Sequence, residues 1–590
     1  MTGRRQKYRE RYIDTLYKLY EFSCATFPDN QYTKWADKED GGYTYATFKR
    51  KCDALSKILA QYGIGSGDKV AILSQNMPNW SVAFFSIVPF GRVAVPILPD
   101  SSESEVTNIL KHSETKVMFV SQKLAGKVSE ECRQQLTLLI DIETFELIKE
   151  DSSEFRMDAH LAMPMPDDIA TIIYTSGTTG SAKGVVLSHR NITSCIHSCY
   201  HSQSRNEKDR WLSILPMPHT YEMTIGFLYP MYCGASIYYL SKPPVTGILL
   251  KALKDVKPTT LLSVPLIIEK VYKNSVLPTI KKSKTLTWME KHMNGLMCRL
   301  IGIKLKSTFG GHLSFFGIGG AKLDPDVEAF LLKANFKYAI GYGLTETAPL
   351  LTQSVGKIRA AGSIGLPVKG VELRLHNVNP ETGEGEIVAT GENVMLGYFK
   401  DPVRTKKAFT EDGWFRTNDV AVMDRKGRFY IKGRLNNTIL GPSGENIYPE
   451  EIEKVINDFE GVNESIVVER GGRLVALVQF DDNIIDWNTE GEDEFYANLE
   501  ARRQAILNFV NKHVSKSSKV NDIEVMKEPF EKTATSKIRR FKYKDGNAKG
   551  VVHIPEGTVP ADGQSVSSAQ PQTEAEPQNN AEKDALKEHK

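Results

Sequence analysis

Short apolar runs alternate with amphipathic stretches from about residue 7 to residue 409. Residues 70–74, 93–97, 117–120, 138–141, 169–173 and 313–316 are apolar at nearly every position, which predicts strands buried on both faces. Residues 45–62 and 104–113 repeat their apolar positions at three- and four-residue steps and predict helices. This alternation predicts an α/β fold of layered, largely parallel sheets. Window 80–99 is the most apolar, yet it holds Arg92, Pro89, Pro96 and Pro99. It predicts a buried helix, turn and strand rather than a membrane span.

The pattern changes near residue 371. Residues 372–375, 386–389 and 428–431 are short strand-like runs separated by turns, so 371–431 is expected to be a β-rich subdomain of a large unit, 1–433. Beyond it, 450–459 and 495–513 read as helices, and 465–469 and 474–480 as strands. That predicts a smaller α+β unit over 434–545. Residues 546–590 are rich in Pro, Gln, Glu, Ala, Ser and Lys. With few large apolar residues they are expected to be disordered.

A chain of 590 residues needs more than one core. Its net charge of +3 gives no reason to expect nucleic acid as a partner. Seven cysteines, without C-x-x-C spacing, point to reduced thiols and a cytoplasmic protein. The N-terminal residues lack the apolar core of a signal peptide. Cys195 and Cys199 would share one helix face and His197 and His201 another, about 160° away. Together they cannot grip one ion. Gly63, Gly65 and Gly67 precede a strand and read as a helix end and turn, not a dinucleotide loop.

The richest chemistry lies in residues 174–184, which follow the run 169–173 and hold Thr175, Ser176, Gly177, Thr178, Thr179, Gly180, Lys183 and Gly184. Glycines free the backbone to turn successive N–H groups toward an anion, and the hydroxyls and ammonium add further donors. The spacing differs from G-x-x-x-x-G-K-[ST], and no hydroxyl follows the lysine.

This segment resembles the phosphate loop of the adenylate-forming superfamily: acyl-CoA synthetases, aryl-CoA ligases, luciferases and nonribosomal adenylation domains. Four further motifs fall in the order that resemblance requires, across about residues 45–545. The turn at Gly319, Gly320 and Ala321 resembles the lining of an adenine pocket. In the string 340–347, Tyr342 and Gly343 match the adenine-stacking segment, Thr345 a hydroxyl near the α-phosphate, and Glu346 a Mg²⁺ ligand, with Thr175 as a second. Asp419 and Arg434 resemble a ribose clamp, although Asn418 stands where the family usually has glycine. Lys537 resembles the C-terminal lysine that meets the attacking carboxylate and the α-phosphate, with Ser536 in place of the usual glycine.

The resemblance also implies a hinge at Asn437 that moves the small unit, bearing Lys537, between two steps. It further implies a pantetheine-facing loop containing Ser443, Gly444 and Glu445. The segment 215–223 resembles L-P-x-x-H-x-x-E of long-chain fatty acyl-CoA synthetases, with His219 facing the carboxylate and Glu222 unassigned. The implied reaction joins a medium- or long-chain fatty acid to CoA through an acyl-adenylate, using ATP and Mg²⁺, with Lys183, His219 and Lys537 as catalytic groups. The chain is most similar to bacterial-type long-chain ligases. An acyl carrier protein as acceptor stays open, as does, more remotely, a non-catalytic nucleotide or acyl sensor. Residues 267–306 carry nine Lys/Arg against Glu269 and Glu290, with Trp288, Met289, Met293, Leu296, Met297, Leu300 and Ile301 at helical spacing. They read as an ordinary packed helix, or as a basic amphipathic one touching the inner face of a membrane.

Overall fold

The computed structural model describes residues 9–10, 12–150, 161–176, 182–441, 446–481, 484–533, 537–546, 548–555 and 557–560. The chain forms two compact units, Met1–Asn437 with Glu531–Phe541, and Thr438–Phe530 with Lys542–Lys590. The segment carrying Lys537 thus groups with the first unit rather than with the C-terminal residues around it.

The first unit is built on three sheets. One has eight strands, ordered Gly397–Tyr398, Ala182–Ser188, Ile169–Ser176, Val93–Ile97, Lys69–Leu73, Val117–Val120, Leu138–Asp141 and Leu147–Glu150. Its central strands are parallel and buried at almost every position, as the continuous apolar runs predict. The predicted helices form as Tyr45–Gln61 and Glu103–Ser113. The second starts at a capping box, in which Ser102 and Glu105 satisfy the first free N–H groups. The apolar window becomes the helix Pro78–Ile87, a turn and the strand Val93–Ile97. Arg92 is tolerated there because its guanidinium donates to Ile64 O, Ser56 Oγ, Ser86 O and Ser56 O at 2.8–3.0 Å.

A second sheet has nine strands, with Leu350–Val355, Tyr338–Gly343, Phe315–Ile318, Thr260–Ser263, Arg210–Ser213 and Ser236–Tyr239 in consecutive order. One strand differs from expectation. The run at 313–316 suggested a strand ending before Gly317, but the strand is Phe315–Ile318. Gly317 belongs inside it because a Cβ there would meet Leu262 Cδ2 at 2.8 Å and Tyr221 Oη at 2.9 Å. The glycine marks a close approach rather than a turn. The third sheet is antiparallel: Val371–His376, Gly385–Gly391, Phe415–Met423 and Phe429–Arg434.

In the second unit, strands Val462–Arg470, Arg473–Phe480 and Asp522–Met526 pack with helices Pro449–Asn457 and Asp493–His513 around one core. Val551–Val552 adds a fourth strand beside Met526. The expectation of disorder from residue 546 therefore does not hold for this stretch, where Val551, Val552 and Ile554 supply β-branched apolar surface. Residues 561–590 lie outside the described residues.

Among the described residues no helix is long and apolar enough to cross a membrane, and all seven cysteines are buried and free. His197 Nε2 approaches Ile13 O at 2.8 Å and His201 pairs with Glu10, so both histidines serve local packing. The 267–306 segment splits its apolar stripe. Met297 and Ile301 are buried, whereas Trp288, Met293, Leu296, Leu300 and Ile303 are exposed.

Candidate active site

Every described residue of the site belongs to the first unit. The strands Ile169–Ser176 and Ala182–Ser188 form an antiparallel hairpin in which Thr175 is opposite Lys183. Ser176 lies at the end of the first strand. Gly177, Thr178, Thr179 and Gly180, at the tip, lie outside the described residues, as do Ser443, Gly444 and Glu445. Register therefore places Lys183 at the base of the loop the sequence singled out, next to Thr175, whose buried Oγ1 has no hydrogen-bond partner among the described residues.

Lys183 crosses to the second sheet. Its Nζ lies 2.6 Å from Glu346 Oε1 and 3.0 Å from Tyr398 Oη. The Tyr398 hydroxyl donates to the same carboxylate oxygen at 3.0 Å. Burial alone would raise the Glu346 pKa, but the Lys183 ammonium together with backbone and Tyr398 hydrogen bonds more than offsets it, and the carboxyl lies below its ordinary value. An ionised carboxylate and an uncommitted hydroxyl are hard oxygen donors, so Glu346 and Thr175 fit a magnesium ion. The Glu346 turn is held by Asn393, which donates to Thr347 O and Leu350 O at 2.9 Å. Met395 N–H also donates to Glu346 O at 2.9 Å. Thr345 opens this one-turn helix.

Gly343 ends the strand Tyr338–Gly343 because its backbone nearly touches the returning chain: a Cβ would sit 1.7 Å from Pro349 O. Tyr342 beside it donates to Asp419 Oδ2 at 2.7 Å. Asp419 Oδ1 receives Arg434 Nε at 3.0 Å, and the two are cross-strand partners in the third sheet. The ring, the carboxylate and the guanidinium thus form one chain of contacts. Asn418, where the resemblance expects glycine, has φ 59°. Asn is among the few side chains that adopt this left-handed conformation readily, so the departure leaves the backbone intact.

Gly319 donates its N–H to Ser263 O, and a Cβ on it would touch the Tyr221 ring at 3.3 Å. Gly320 has φ 87° and, like Ala321, is exposed. His219 is half-buried. Burial, then the Lys537 charge, lowers its pKa to about 4, and its Nδ1 accepts the Tyr221 N–H at 3.2 Å. The imidazole is neutral at physiological pH. Lys537 keeps contact with solvent. Desolvation, then the Arg434 and Lys183 charges, lowers its pKa against the pull of Asp419 and Glu346. Its segment is anchored by Arg539, which pairs with Glu105 at 2.9 Å. Asn437 closes a short 3₁₀ turn at the end of the first unit's main segment.

Glu222 lies in a buried π-helical turn, Glu222–Leu228. Desolvation raises its pKa to about 8, and Ser213 Oγ donates to it at 2.6 Å. Sequence reasoning missed Tyr398. It lies 215 residues from Lys183 in sequence, and a lone tyrosine in 397–399 carries no local signal of that contact.

An AMP-binding enzyme family model matches residues 20–399. Long chain acyl-CoA synthetase 6, peroxisomal, of Arabidopsis thaliana is 28% identical over 525 residues, covering 80% of this chain and 74% of the relative. Long-chain-fatty-acid–CoA ligase FadD15 of Mycobacterium bovis is 28% identical over 494 residues, covering 77% and 80%. Among solved structures, O-succinylbenzoate coenzyme A synthetase (MenE) from Bacillus subtilis with ATP and magnesium ion superposes with TM-score 0.71 at 21% identity, covering 89% of this chain and 99% of that one. ATP-bound MatB from Rhodopseudomonas palustris gives 0.70 at 21%, covering 90% and 99%. These structural likenesses carry the fold, the family model covers well over half of the sequence, and the chain belongs to the AMP-binding enzyme family.

Proposed function

We propose that this protein activates a medium- or long-chain fatty acid with ATP and transfers the acyl group to CoA, releasing pyrophosphate and AMP. The observation that carries the reading is the meeting of Lys183, Glu346 and Thr175 beside the linked Tyr342, Asp419 and Arg434. That arrangement sets phosphate-binding charge next to a ribose-binding carboxylate. The long-chain acyl-CoA synthetase relatives supply the substrate class.

In this reading the Tyr342 ring stacks on adenine, with Gly319, Gly320 and Ala321 along the base. Asp419 accepts from the ribose hydroxyls, as a carboxylate with two oxygens can. Lys183 and the loop 175–180 bind phosphate oxygens, and Thr345 reaches the α-phosphate. Glu346 and Thr175 would hold a magnesium ion, which neutralises phosphate charge when bound. The acid's carboxylate attacks the α-phosphorus, the bond to pyrophosphate breaks, and Lys537 stabilises the charge shared between the two anions. Neutral His219 borders the acyl carboxyl. The CoA sulfur then attacks the acyl carbon and AMP leaves.

The division into a large unit, 1–433, and a cap, 434–545, with Asn437 as pivot and Ser443, Gly444 and Glu445 facing pantetheine, belongs to the same proposal. Hinged closure that rebuilds one site for a second step has physical precedent. The exposed Trp288, Met293, Leu296, Leu300 and Ile303 on a basic segment support peripheral contact with a lipid surface, where fatty acids partition.

AMP release with ATP and Mg²⁺ across acetate, benzoate, octanoate, palmitate and oleate, with and without CoA, tests the reading. CoA-dependent turnover confined to fatty acids supports it. Pyrophosphate exchange without CoA-driven turnover would redirect the acceptor to a carrier protein, and silence throughout would sink it. Lys537→Ala is expected to lose about 10²–10³ in adenylation rate while sparing thioester formation from supplied acyl-AMP.

A further inference from the structure

A partly open cavity adjoins this site. One face of the nine-stranded sheet lines it in steps. Leu262 is paired with Gly317, and Gly317 with Ala339. Two residues back along the same strands, Trp211 is paired with Thr260, and Thr260 with Phe315. Alternate residues of a strand share a face, so both rows look into the same space. The Gly317 row is nearer Gly319 and Tyr342. The Trp211–Thr260 row lies deeper, about 13 Å from Gly319 at the rise of four strand residues.

The walls differ along this depth. Ile225, Leu262 and Leu350 make the middle apolar. Four lining residues, however, carry a buried polar atom without a hydrogen-bond partner among the described residues: Arg205 Nε, Trp211 Nε1, Thr260 Oγ1 and Gln353 Oε1. Trp211, Thr260 and Gln353 are 2%, 1% and 8% exposed, so bulk water does not reach them freely. A buried polar group left unpaired costs about 1–3 kcal/mol, and several around one cavity call for a polar occupant.

Gln353 is opposite Gly341, on a step nearer the nucleotide side. The other three cluster at the deep end. Arg205 is fixed there, with Nη1 donating to Ser314 Oγ at 2.7 Å and the guanidinium 5.2 Å from the Phe315 ring centre. Its Nε, the Trp211 indole N–H and the Thr260 hydroxyl are all donors, suited to an acceptor oxygen. Asp209 lies 3.9 Å from Arg205 and offsets much of its charge, which favours a neutral oxygen over a second carboxylate.

We infer that the preferred acid is a medium-length chain bearing a neutral oxygen function, hydroxyl or carbonyl, at its far end, held by Arg205, Trp211 and Thr260. The inference rests on the acid-activating reading above. The apolar middle takes the hydrocarbon, at about 0.8 kcal/mol per buried CH₂, and the deep donors take the oxygen. A chain ending in a methyl group would leave those donors unpaired.

The experiment is pyrophosphate release by the full chain with hexanoate, octanoate and decanoate, their ω-hydroxy and (ω−1)-oxo counterparts, the matching diacids and palmitate. At one chain length the hydroxy or oxo acid is expected to exceed the plain acid in kcat/KM by about tenfold, the scale of one hydrogen bond. Arg205→Met and Thr260→Val are expected to lower the oxygenated acid's kcat/KM more than the plain acid's, so that their ratio falls toward one. The plain acid serves as the internal control for folding. Plain acids preferred at every length, diacids preferred over neutral oxygenated acids, or variants that lower both rates alike would each overturn the inference while leaving acid activation standing. No release with any acid would overturn the activation reading, and this inference with it.

Discussion

Lys183 Nζ and Glu346 Oε1 are 2.6 Å apart, joined by the Tyr398 hydroxyl, although the three residues come from distant parts of the chain. The proposed phosphate cation and the proposed metal ligand are therefore each other's counter-charge. Binding a triphosphate with its metal means exchanging partners rather than filling two independent sites.

Lys183→Ala leaves the buried Glu346 carboxylate without its cation and is expected to destabilise the first unit by about 3 kcal/mol. Adding Glu346→Gln to that variant removes the stranded charge and is expected to recover at least half of the loss. Denaturant unfolding of both variants checks this, and a double variant no more stable than Lys183→Ala would contradict the pairing.

Asp419 accepts from both Tyr342 and Arg434. Asp419→Asn weakens both contacts and the proposed ribose hydrogen bonds, so AMP affinity is expected to fall by about 1–3 kcal/mol. Arg434→Met, removing the more exposed partner, should cost less. Calorimetric titration with AMP distinguishes them.

Glu222 is buried, and its carboxyl is pushed up into the working pH range. Its folded pKa of about 8 exceeds the ordinary 4.5, so between those values the folded chain holds a proton that the unfolded chain releases. Stability contributed by the neutral acid is present below pH 4.5 and is lost as pH rises toward 8. Glu222→Gln mimics the neutral form and is expected to flatten that decline. Thermal unfolding from pH 5 to 9 measures it, and an unchanged slope in the variant would place the titration elsewhere.

Gly343→Ala forces a Cβ into Pro349 O, a backbone atom 1.7 Å from its ideal position. The strand must move, costing about 1–3 kcal/mol and displacing Tyr342 and the Glu346 turn together. Nucleotide affinity and stability should fall in parallel. Loss of stability with AMP affinity intact would show that the turn adjusts independently.

Much of this was legible in the sequence because it is local. Buried parallel strands announce themselves as unbroken apolar runs, and the strand Val117–Val120 occupies the run that predicted it. The glycine-rich loop, Glu346 and Asp419 stood out because their strings are short and dense in chemistry. What stayed hidden is relational. Tyr398 acquires its role only when its strand joins the edge of the eight-stranded sheet, opposite Val185. Gly317 lies past the end of the apolar run at 313–316, and its place inside the strand shows only when Tyr221, from a distant segment, is found against it. Trp211 and Thr260, 49 residues apart, become neighbours through the parallel register alone.

That register also separates two kinds of selectivity. Gly319, Tyr342 and Glu346, proposed to face the nucleotide, lie at or just past the ends of strands of the nine-stranded sheet, whereas the cavity rows lie further back along that sheet, at intervals set by the pleat. With the acid placed as proposed, the sheet would act as a graduated rule laid along it. In that reading, altering Trp211 or Thr260 would change which chemical group is read at the acid's tip. Neither Trp211 nor Thr260 is among the residues proposed to bind the nucleotide, so acid preference could drift within this fold while the proposed adenylating groups stay as they are.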